Sequence, residues 1–276
     1  YDKSKDELSL EELRKIFIAL DSKIHWLTFS GGEPFLRDDF DKICIDAYNL
    51  LEPKIINIPT NGMLYDIIPD RLDAILKNCH KSNIIINLSL DGLNGKHDEI
   101  RGTQGSYQNV IKTYNRLKTI KNINFTLGIH TTLSSYNVND FSGILKQVEE
   151  LNPGSYIVEY AQKKLELNNL DKEFLPGLGD YAKCIEQLEV MQSKKKYKGV
   201  PKIIQALRRQ YYGLTKDILL KNRPIIPCFA GFSCAHISSS GEVWACGINA
   251  RPMGNLRKEN YDFKKIWFSK KAKVIR

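Results

Sequence analysis

The sequence has no run of about 18 apolar residues, the length that a membrane-spanning helix needs. Its first residues, YDKSKDE, are charged and lack the apolar core of a signal peptide. Six cysteines in 276 residues are too few for a disulfide framework. With 42% hydrophobic and 26% charged residues, the composition is not that of a disordered protein. These absences predict a folded cytoplasmic protein whose cysteines are core thiols or metal ligands.

Charge is distributed unevenly along the chain. Residues 1–162 carry 18 basic and 22 acidic residues, a net charge of −4, whereas residues 163–276 carry 23 and 10, a net charge of +13. The positive half could face nucleic acid, an acidic peptide or an anionic ligand. Solvated helix faces explain the same pattern, and we prefer that interpretation.

Strand and helix patterns alternate over the first 160 residues. Runs rich in β-branched residues begin near Ile24, Lys54, Ile84, Ile123 and Ser155. Helical patterns fill the gaps at residues 38–51, 69–79, 106–121 and 139–151, after a first helix at 9–20 that opens with a capping box of Ser9 and Glu12. This alternation predicts a parallel sheet covered by helices, either an open doubly wound sheet or a full or partial barrel. Residues 171–223 are predicted to be mainly helical.

Polar and glycine residues concentrate where the first three predicted strands end. The three segments are Ser30-Gly31-Gly32-Glu33-Pro34, Thr60-Asn61-Gly62 and Ser89-Leu90-Asp91-Gly92. Ligands bind at the carboxyl ends of strands in such folds, so the three segments predict one ligand site. Ordinary turn chemistry is the alternative for any one of them.

The last three cysteines have a spacing that the others lack. In Cys228-x5-Cys234-x11-Cys246, a hairpin pattern lies between the second and third cysteines. Three converging thiolates suit an iron–sulfur cluster or zinc, with His236 as a further zinc ligand. The alternative is three unrelated buried cysteines. Cys44, Cys79 and Cys184 lie on predicted helices and are interpreted as structural.

The ordered motifs resemble those of the radical S-adenosylmethionine enzymes. The motifs GGEP, TNG and SLDG follow successive strands, and the segment 97–107 comes after them. The later motifs GEVWAC and GNL resemble an accessory SPASM or twitch domain. The resemblance implies an α/β fold: a partial (β/α)6 TIM-like barrel lacking its first strand, then helices and a small C-terminal β-hairpin domain. It divides the chain into a barrel at 1–165, a helical connection at 166–225 and an iron–sulfur domain at 226–276.

The resemblance also implies cofactors and site residues. S-adenosylmethionine would lie across the strand ends, bound by Gly31, Gly32, Glu33, Pro34, Thr60, Asn61, Ser89, Asp91 and Arg101. The GGEP segment would hold its amino group, Ser89 and Asp91 would approach its ribose, and Arg101 would pair with its carboxylate. Cys228, Cys234 and Cys246 would bind an auxiliary 4Fe-4S cluster. No residue of this chain is assigned a catalytic role.

One departure from the family pattern is large. The CxxxCxxC motif, which binds the family's catalytic 4Fe-4S cluster, is not in this sequence. We expect the sequence to be incomplete at both ends; a natural chain that has lost the cluster is the alternative. The chain as given is therefore predicted not to cleave S-adenosylmethionine.

The leading hypothesis for the intact protein is an oxidoreductase or maturase that generates a 5′-deoxyadenosyl radical. Its substrate would be a peptide or protein, for example a ribosomal precursor peptide, and its other partner an electron donor. The alternatives are a cluster-free ligand-binding barrel and an RNA-binding or RNA-modifying protein, the latter suggested by residues 208–212. Neither a membrane nor a nucleic acid is an expected partner. Thr126, His130, Thr132 and Glu159 are candidates for substrate handling, with hydrogen-bonded structural groups as the alternative.

Overall fold

Five parallel strands in sequential order form the centre of the molecule. The structure is a computed structural model that describes residues 6–20, 23–164, 169–194 and 200–276. The strands are β1 (Trp26–Thr28), β2 (Ile55–Thr60), β3 (Asn83–Ser89), β4 (Phe125–Leu133) and β5 (Ser155–Tyr160). They curl into a half-barrel, which confirms the partial-barrel prediction and excludes the flat doubly wound sheet. No helix in the described ranges is long and apolar enough to cross a membrane.

Helices cover one face of this sheet. They are α1 (Leu10–Leu20), α2 (Phe40–Leu51), α3 (Ile68–Asn78), α4 (Asn94–Arg101), α5 (Ser106–Leu117) and α6 (Phe141–Leu151). Strand residues of one parity, such as Ile56, Ile58 and Ile86, are fully buried against helix residues such as Phe40 and Ile75. The other parity faces away from the helices, because successive strand side chains point to opposite faces. We call this second side the uncovered face.

Two longer helices connect the half-barrel to a small second sheet. They are α7 (Leu178–Ser193) and α8 (Val200–Lys221). Helix α8 lies along the outer edge of β5, where Arg208 donates to the Tyr156 carbonyl at 3.1 Å and to Ser155 Oγ at 2.8 Å. Tyr212 is buried there with 1% exposure. The predicted domain boundary at residue 165 lies outside the described residues.

The second sheet is antiparallel and has three strands. These are β6 (His236–Ile237), β7 (Glu242–Trp244) and β8 (Pro252–Asn255), followed by α9 (Phe263–Trp267) and α10 (Lys270–Ile275). The predicted hairpin is confirmed, and β8 adds a strand that the sequence did not predict. Helices α9 and α10 are separated at Phe268 and Ser269. Ser269 Oγ accepts a hydrogen bond from the Ala272 amide at 3.0 Å, so Ser269 caps a new helix at that point.

Helix α1 joins the two sheets. Its capping box forms as predicted: the Ser9 amide donates to Glu12 Oε2 at 2.8 Å, and the Glu12 amide donates to Ser9 Oγ at 3.2 Å. Phe17 on this helix packs against α2, whereas Leu8 and Ile16 are buried with the C-terminal sheet. The helix therefore fixes the second sheet against the half-barrel.

Candidate functional site

The parallel register brings the three polar loops to one mouth of the half-barrel. The link between the first two loops is Glu33, which is 3% exposed. Its Oε1 accepts from Thr60 Oγ1 at 2.8 Å and the Phe35 amide at 3.2 Å, and its Oε2 accepts from the Asn61 amide at 2.7 Å. Burial raises the pKa of this carboxyl, although the three hydrogen bonds oppose that shift. Glu33 thus ties the GGEP loop to the TNG loop.

The loop after β3 is built around Asp91, which is 4% exposed. Its Oδ1 accepts from the Thr132 amide at 2.8 Å, and its Oδ2 forms an ion pair with Arg101 Nη2 at 2.7 Å. The Asp91 amide donates to Nδ1 of His97 at 3.1 Å. Burial lowers the pKa of His97 to about 4, so its ring is neutral at pH 7 and Nδ1 can accept.

Glycine at position 92 allows helix α4 to approach this loop. A Cβ placed on Gly92 would lie 2.8 Å from the His97 backbone nitrogen, closer than atoms pack. The helix ends at Arg101, whose side chain returns to Asp91. The Arg101 side chain remains 31% exposed beside this ion pair.

The remaining predicted cofactor residues have different surroundings. Ser30, Gly31 and Gly32 are exposed, and nothing lies within 4 Å of a Cβ built on Gly31. Pro34 is buried and begins a single 3₁₀ turn over Pro34–Leu36. Ser89 is half-buried on the uncovered face, paired in register with His130. The mouth therefore combines an open glycine loop with two rigid carboxylate networks.

Sequence reasoning missed Asn137, which holds the Asp91 backbone. It is fully buried, and its Nδ2 donates to the Asp91 and Thr132 carbonyls, both at 2.9 Å. Its Oδ1 accepts from the Ser134 amide at 2.9 Å. The only local signal is an asparagine in a polar loop just after a strand, which also describes an ordinary turn.

The uncovered face carries a second group of polar side chains. His130 Nε2 lies 3.4 Å from Glu159 Oε2, and His130 lowers the pKa of Glu159. Deeper in the half-barrel, Asn87 Nδ2 donates to Asn57 Oδ1 at 2.8 Å, a pair that the strand-end motifs do not include. The period-two pattern of strands β2 and β3 would have placed both asparagines on this face.

The cysteines fall into two groups. Cys44, Cys79 and Cys184 are buried, and burial raises the pKa of each thiol, so they are unreactive core residues. Cys228 and Cys234 are exposed and Cys246 is half-buried. Cys234 lies two residues before β6 and Cys246 two residues after β7, so both lie at the end of the hairpin where His236 pairs with Trp244. Within the described ranges, no three His, Cys, Asp or Glu side chains lie together as a metal site, so this ligand set stays a prediction.

Comparison with known proteins identifies the fold. A model described as the radical SAM superfamily matches residues 1–148. The chain belongs to the radical SAM superfamily. A second model, the SPASM iron–sulfur cluster-binding domain, matches residues 228–276, so both parts of the predicted resemblance are confirmed. The cofactors of this family are S-adenosylmethionine and 4Fe-4S clusters.

The similar curated proteins have several activities. The sporulation killing factor maturation protein SkfB of Bacillus subtilis is 22% identical over 85% of this chain and 51% of its own length. An AdoMet-dependent heme synthase of Methanosarcina barkeri is 25% identical over 91% of this chain and 69% of its own. The chain thus spans about half the length of SkfB.

Solved structures of anSMEcpe share the fold. The form with bound AdoMet superposes with a TM-score of 0.65 at 18% identity, covering 97% of this chain and 73% of that chain. The form with AdoMet and the Cp18Cys peptide has a TM-score of 0.62 at 18% identity, covering 96% and 73%.

Proposed function

We propose that this chain is the barrel and C-terminal part of an enzyme that uses S-adenosylmethionine to modify a peptide or protein. The observation that carries the proposal is the mouth, where Glu33 joins the GGEP loop to the TNG loop and the SLDG loop, built around Asp91, follows the neighbouring strand β3. Bound there, S-adenosylmethionine would supply the radical chemistry of the family, and the protein would bind, orient and exclude water.

The residues of the mouth fit this cofactor. The open Gly31-Gly32 backbone offers carbonyl groups to an ammonium group. Ser89, half-buried on the uncovered face, offers a hydroxyl group toward a ribose, and the exposed part of Arg101 suits a carboxylate. Asp91 has both oxygens bonded, to Thr132 and Arg101, so we assign it the orientation of Arg101. The oxygens of Glu33 accept hydrogen bonds from Thr60, Asn61 and Phe35, so we assign Glu33 a structural role in fixing the GGEP loop.

The uncovered face favours a peptide over a nucleotide triphosphate or a porphyrin. Among the side chains that strands β1–β5 place on it, none is a lysine or an arginine, and the titratable ones are His130 and Glu159. Polyanions are normally bound by cations. Amide and hydroxyl groups suit a peptide main chain, and the face offers Thr28, Asn57, Asn83, Asn87, Thr126, Thr132 and Ser155.

SkfB, by its name a maturation protein for a killing factor, and anSMEcpe, whose solved structure has a bound peptide, support the same substrate class. We assign His130 and Glu159 the role of binding a polar group of the peptide. An electron donor as partner and a cytoplasmic location stay predictions.

The RNA-binding alternative has little support from α8. Arg208 and Tyr212 are engaged with the edge of β5, so the stretch 208–212 does not present a free row of basic and aromatic groups. RNA binding that weakens steeply with salt would favour that alternative.

Calorimetric titration of this chain with S-adenosylmethionine tests the proposal. Arg101→Gln should weaken binding about tenfold or more, because a hydrogen bond to a charged group contributes roughly 1.5–3 kcal/mol. Arg116→Gln is the matched control, since Arg116 pairs with Asp66 on the surface. Wild-type protein that does not bind, or equal affinity in both variants, would overturn the assignment.

A further inference from the structure

Arg257, just after β8, connects the C-terminal sheet to the start of the described chain. Its Nε and Nη2 donate to the two oxygens of Glu12 at 2.6 and 3.1 Å. Its Nη1 donates to Asp6 Oδ1 at 2.6 Å and to the Asp6 carbonyl at 2.9 Å, and its Nη2 also reaches the Glu7 carbonyl at 3.1 Å. Arg257 lowers the pKa of Glu12 to about 2, so this carboxylate is ionised at all physiological pH values.

The C-terminal sheet fixes residues 6–8 at a second point. The Leu8 amide donates to the Ser239 carbonyl at 2.7 Å, in the turn between β6 and β7. The Leu8 side chain is 3% exposed and packs with the core of that sheet. Residues 6–8 are thus ordered by contacts with residues more than 200 positions away in the sequence.

Residues 6–8 in turn hold the loop that follows β1. Arg37 Nη1 donates to the Leu8 carbonyl at 2.8 Å, and the same nitrogen lies 3.8 Å from Glu7 Oε2. The Arg37 amide donates to the Pro34 carbonyl at 3.2 Å, closing the 3₁₀ turn that begins directly after Glu33. Continuous polar contacts therefore run from Arg257 to the GGEP loop.

We propose that Arg257 is a positioning residue through which the C-terminal sheet holds the GGEP loop in its ligand-binding conformation. The proposal rests on the function proposed above for that loop. Neither Arg257 nor residues 6–8 line the mouth; they act through Arg37. The C-terminal sheet is then a working part of the cofactor site in the half-barrel.

The expected effect on affinity follows from the fraction of molecules whose GGEP loop is in the ligand-binding conformation. Arg257→Gln keeps a side chain of moderate length but loses the bidentate contact with Glu12 and the contacts with residues 6 and 7. If the ordered loop conformation falls to about one tenth of the population, the apparent Kd rises about tenfold. Arg257→Lys should give an intermediate Kd, because an ammonium group can reach Glu12 or Asp6 but cannot replace the planar fork.

Two measurements on the whole chain test the proposal. Calorimetry gives the Kd for S-adenosylmethionine, and hydrogen exchange gives the local stability of residues 31–37. Arg257→Gln should raise the Kd about tenfold and speed exchange in 31–37, while exchange in β4 and β5 stays unchanged. Arg251→Gln is the matched control, because Arg251 is exposed just before β8. Arg37→Gln cuts the second link and should repeat the effect if Arg257→Gln does not fold.

Wild-type affinity and unchanged exchange at 31–37 in Arg257→Gln would overturn the proposal. Faster exchange throughout the chain, with unchanged affinity in Arg37→Gln, would also overturn it, because Arg257 would then only stabilise the fold. Wild-type protein that does not bind S-adenosylmethionine would instead refute the proposed function. The exchange at 31–37 would still decide the role of Arg257 in that case.

Discussion

Replacing Glu33 by glutamine tests whether this side chain ties two loops together. The carboxylate accepts three hydrogen bonds from within the protein, two of them from backbone amides of Phe35 and Asn61. A glutamine has one accepting oxygen, and its nitrogen cannot accept. The Thr60 hydroxyl can turn to accept from that nitrogen. In either orientation of the new amide, one backbone N–H is left unpaired in a buried site.

For the ionised carboxylate the expected cost is about 1–3 kcal/mol, the penalty for one unsatisfied buried donor. The cost should depend on pH. Burial raises the pKa of Glu33 in the folded state, so the folded protein binds this proton more tightly than the unfolded chain. The contribution of Glu33 to the free energy of unfolding is fully present below its unfolded pKa, about 4.3. It declines as pH rises through the raised pKa of Glu33 in the folded protein. The difference between wild type and Glu33→Gln should therefore be largest near pH 4.5 and smaller at pH 8.

Urea unfolding at pH 4.5 and pH 8 gives both free energies of unfolding. Glu99→Gln is the matched control, since Glu99 is 68% exposed in a surface pair with Lys96, and it should change stability by less than about 0.5 kcal/mol. Equal stability of Glu33→Gln and wild type at both pH values would refute the role of Glu33. A difference that grows with pH would refute the burial argument.

Three further predictions concern the mouth and the chemistry. Gly92→Ala should destabilise the protein by about 1–3 kcal/mol in urea unfolding, because its Cβ meets the His97 backbone, whereas Gly95→Ala, with open space around it, should be neutral or stabilising. NMR titration should find the His97 ring neutral down to about pH 4. Its contribution to the free energy of unfolding is present above its unfolded pKa, about 6.5, and is lost as pH falls toward 4. A titration of His97 near pH 6.5 would contradict its burial. After iron–sulfur reconstitution and reduction, this chain should release no 5′-deoxyadenosine in a chromatographic assay, because it contains no CxxxCxxC motif; detection of the product would contradict that.

Local patterns were sufficient for the helix-covered parallel sheet, whereas its closure into a half-barrel was expected only from the resemblance to the radical S-adenosylmethionine enzymes. Strand runs, helix stripes and the capping box of Ser9 and Glu12 all depend on residues within a few positions of one another. The three strand-end loops were also predictable, since the carboxyl ends of parallel strands share one edge. Helix α4 was missed because residues 94–101 are polar and show no apolar stripe.

The contacts that organise the mouth were not predictable from local patterns. Arg257 meets Glu12 across 245 residues, and Asn137 reaches the Asp91 carbonyl across 46. Such pairs follow from tertiary packing, which brings together groups that have no sequence periodicity in common. Glu33 illustrates the same limit: the motif marked its position, but only the structure shows that its oxygens face the neighbouring loop.

Hydrogen exchange of this chain with and without saturating S-adenosylmethionine tests the cofactor site most directly. If the mouth is the binding site, the cofactor should slow exchange in residues 31–37, 61–63, 89–92 and 101–103 and leave α9 and α10 unchanged. Protection confined to the C-terminal sheet or to the helix-covered side of the half-barrel would contradict it.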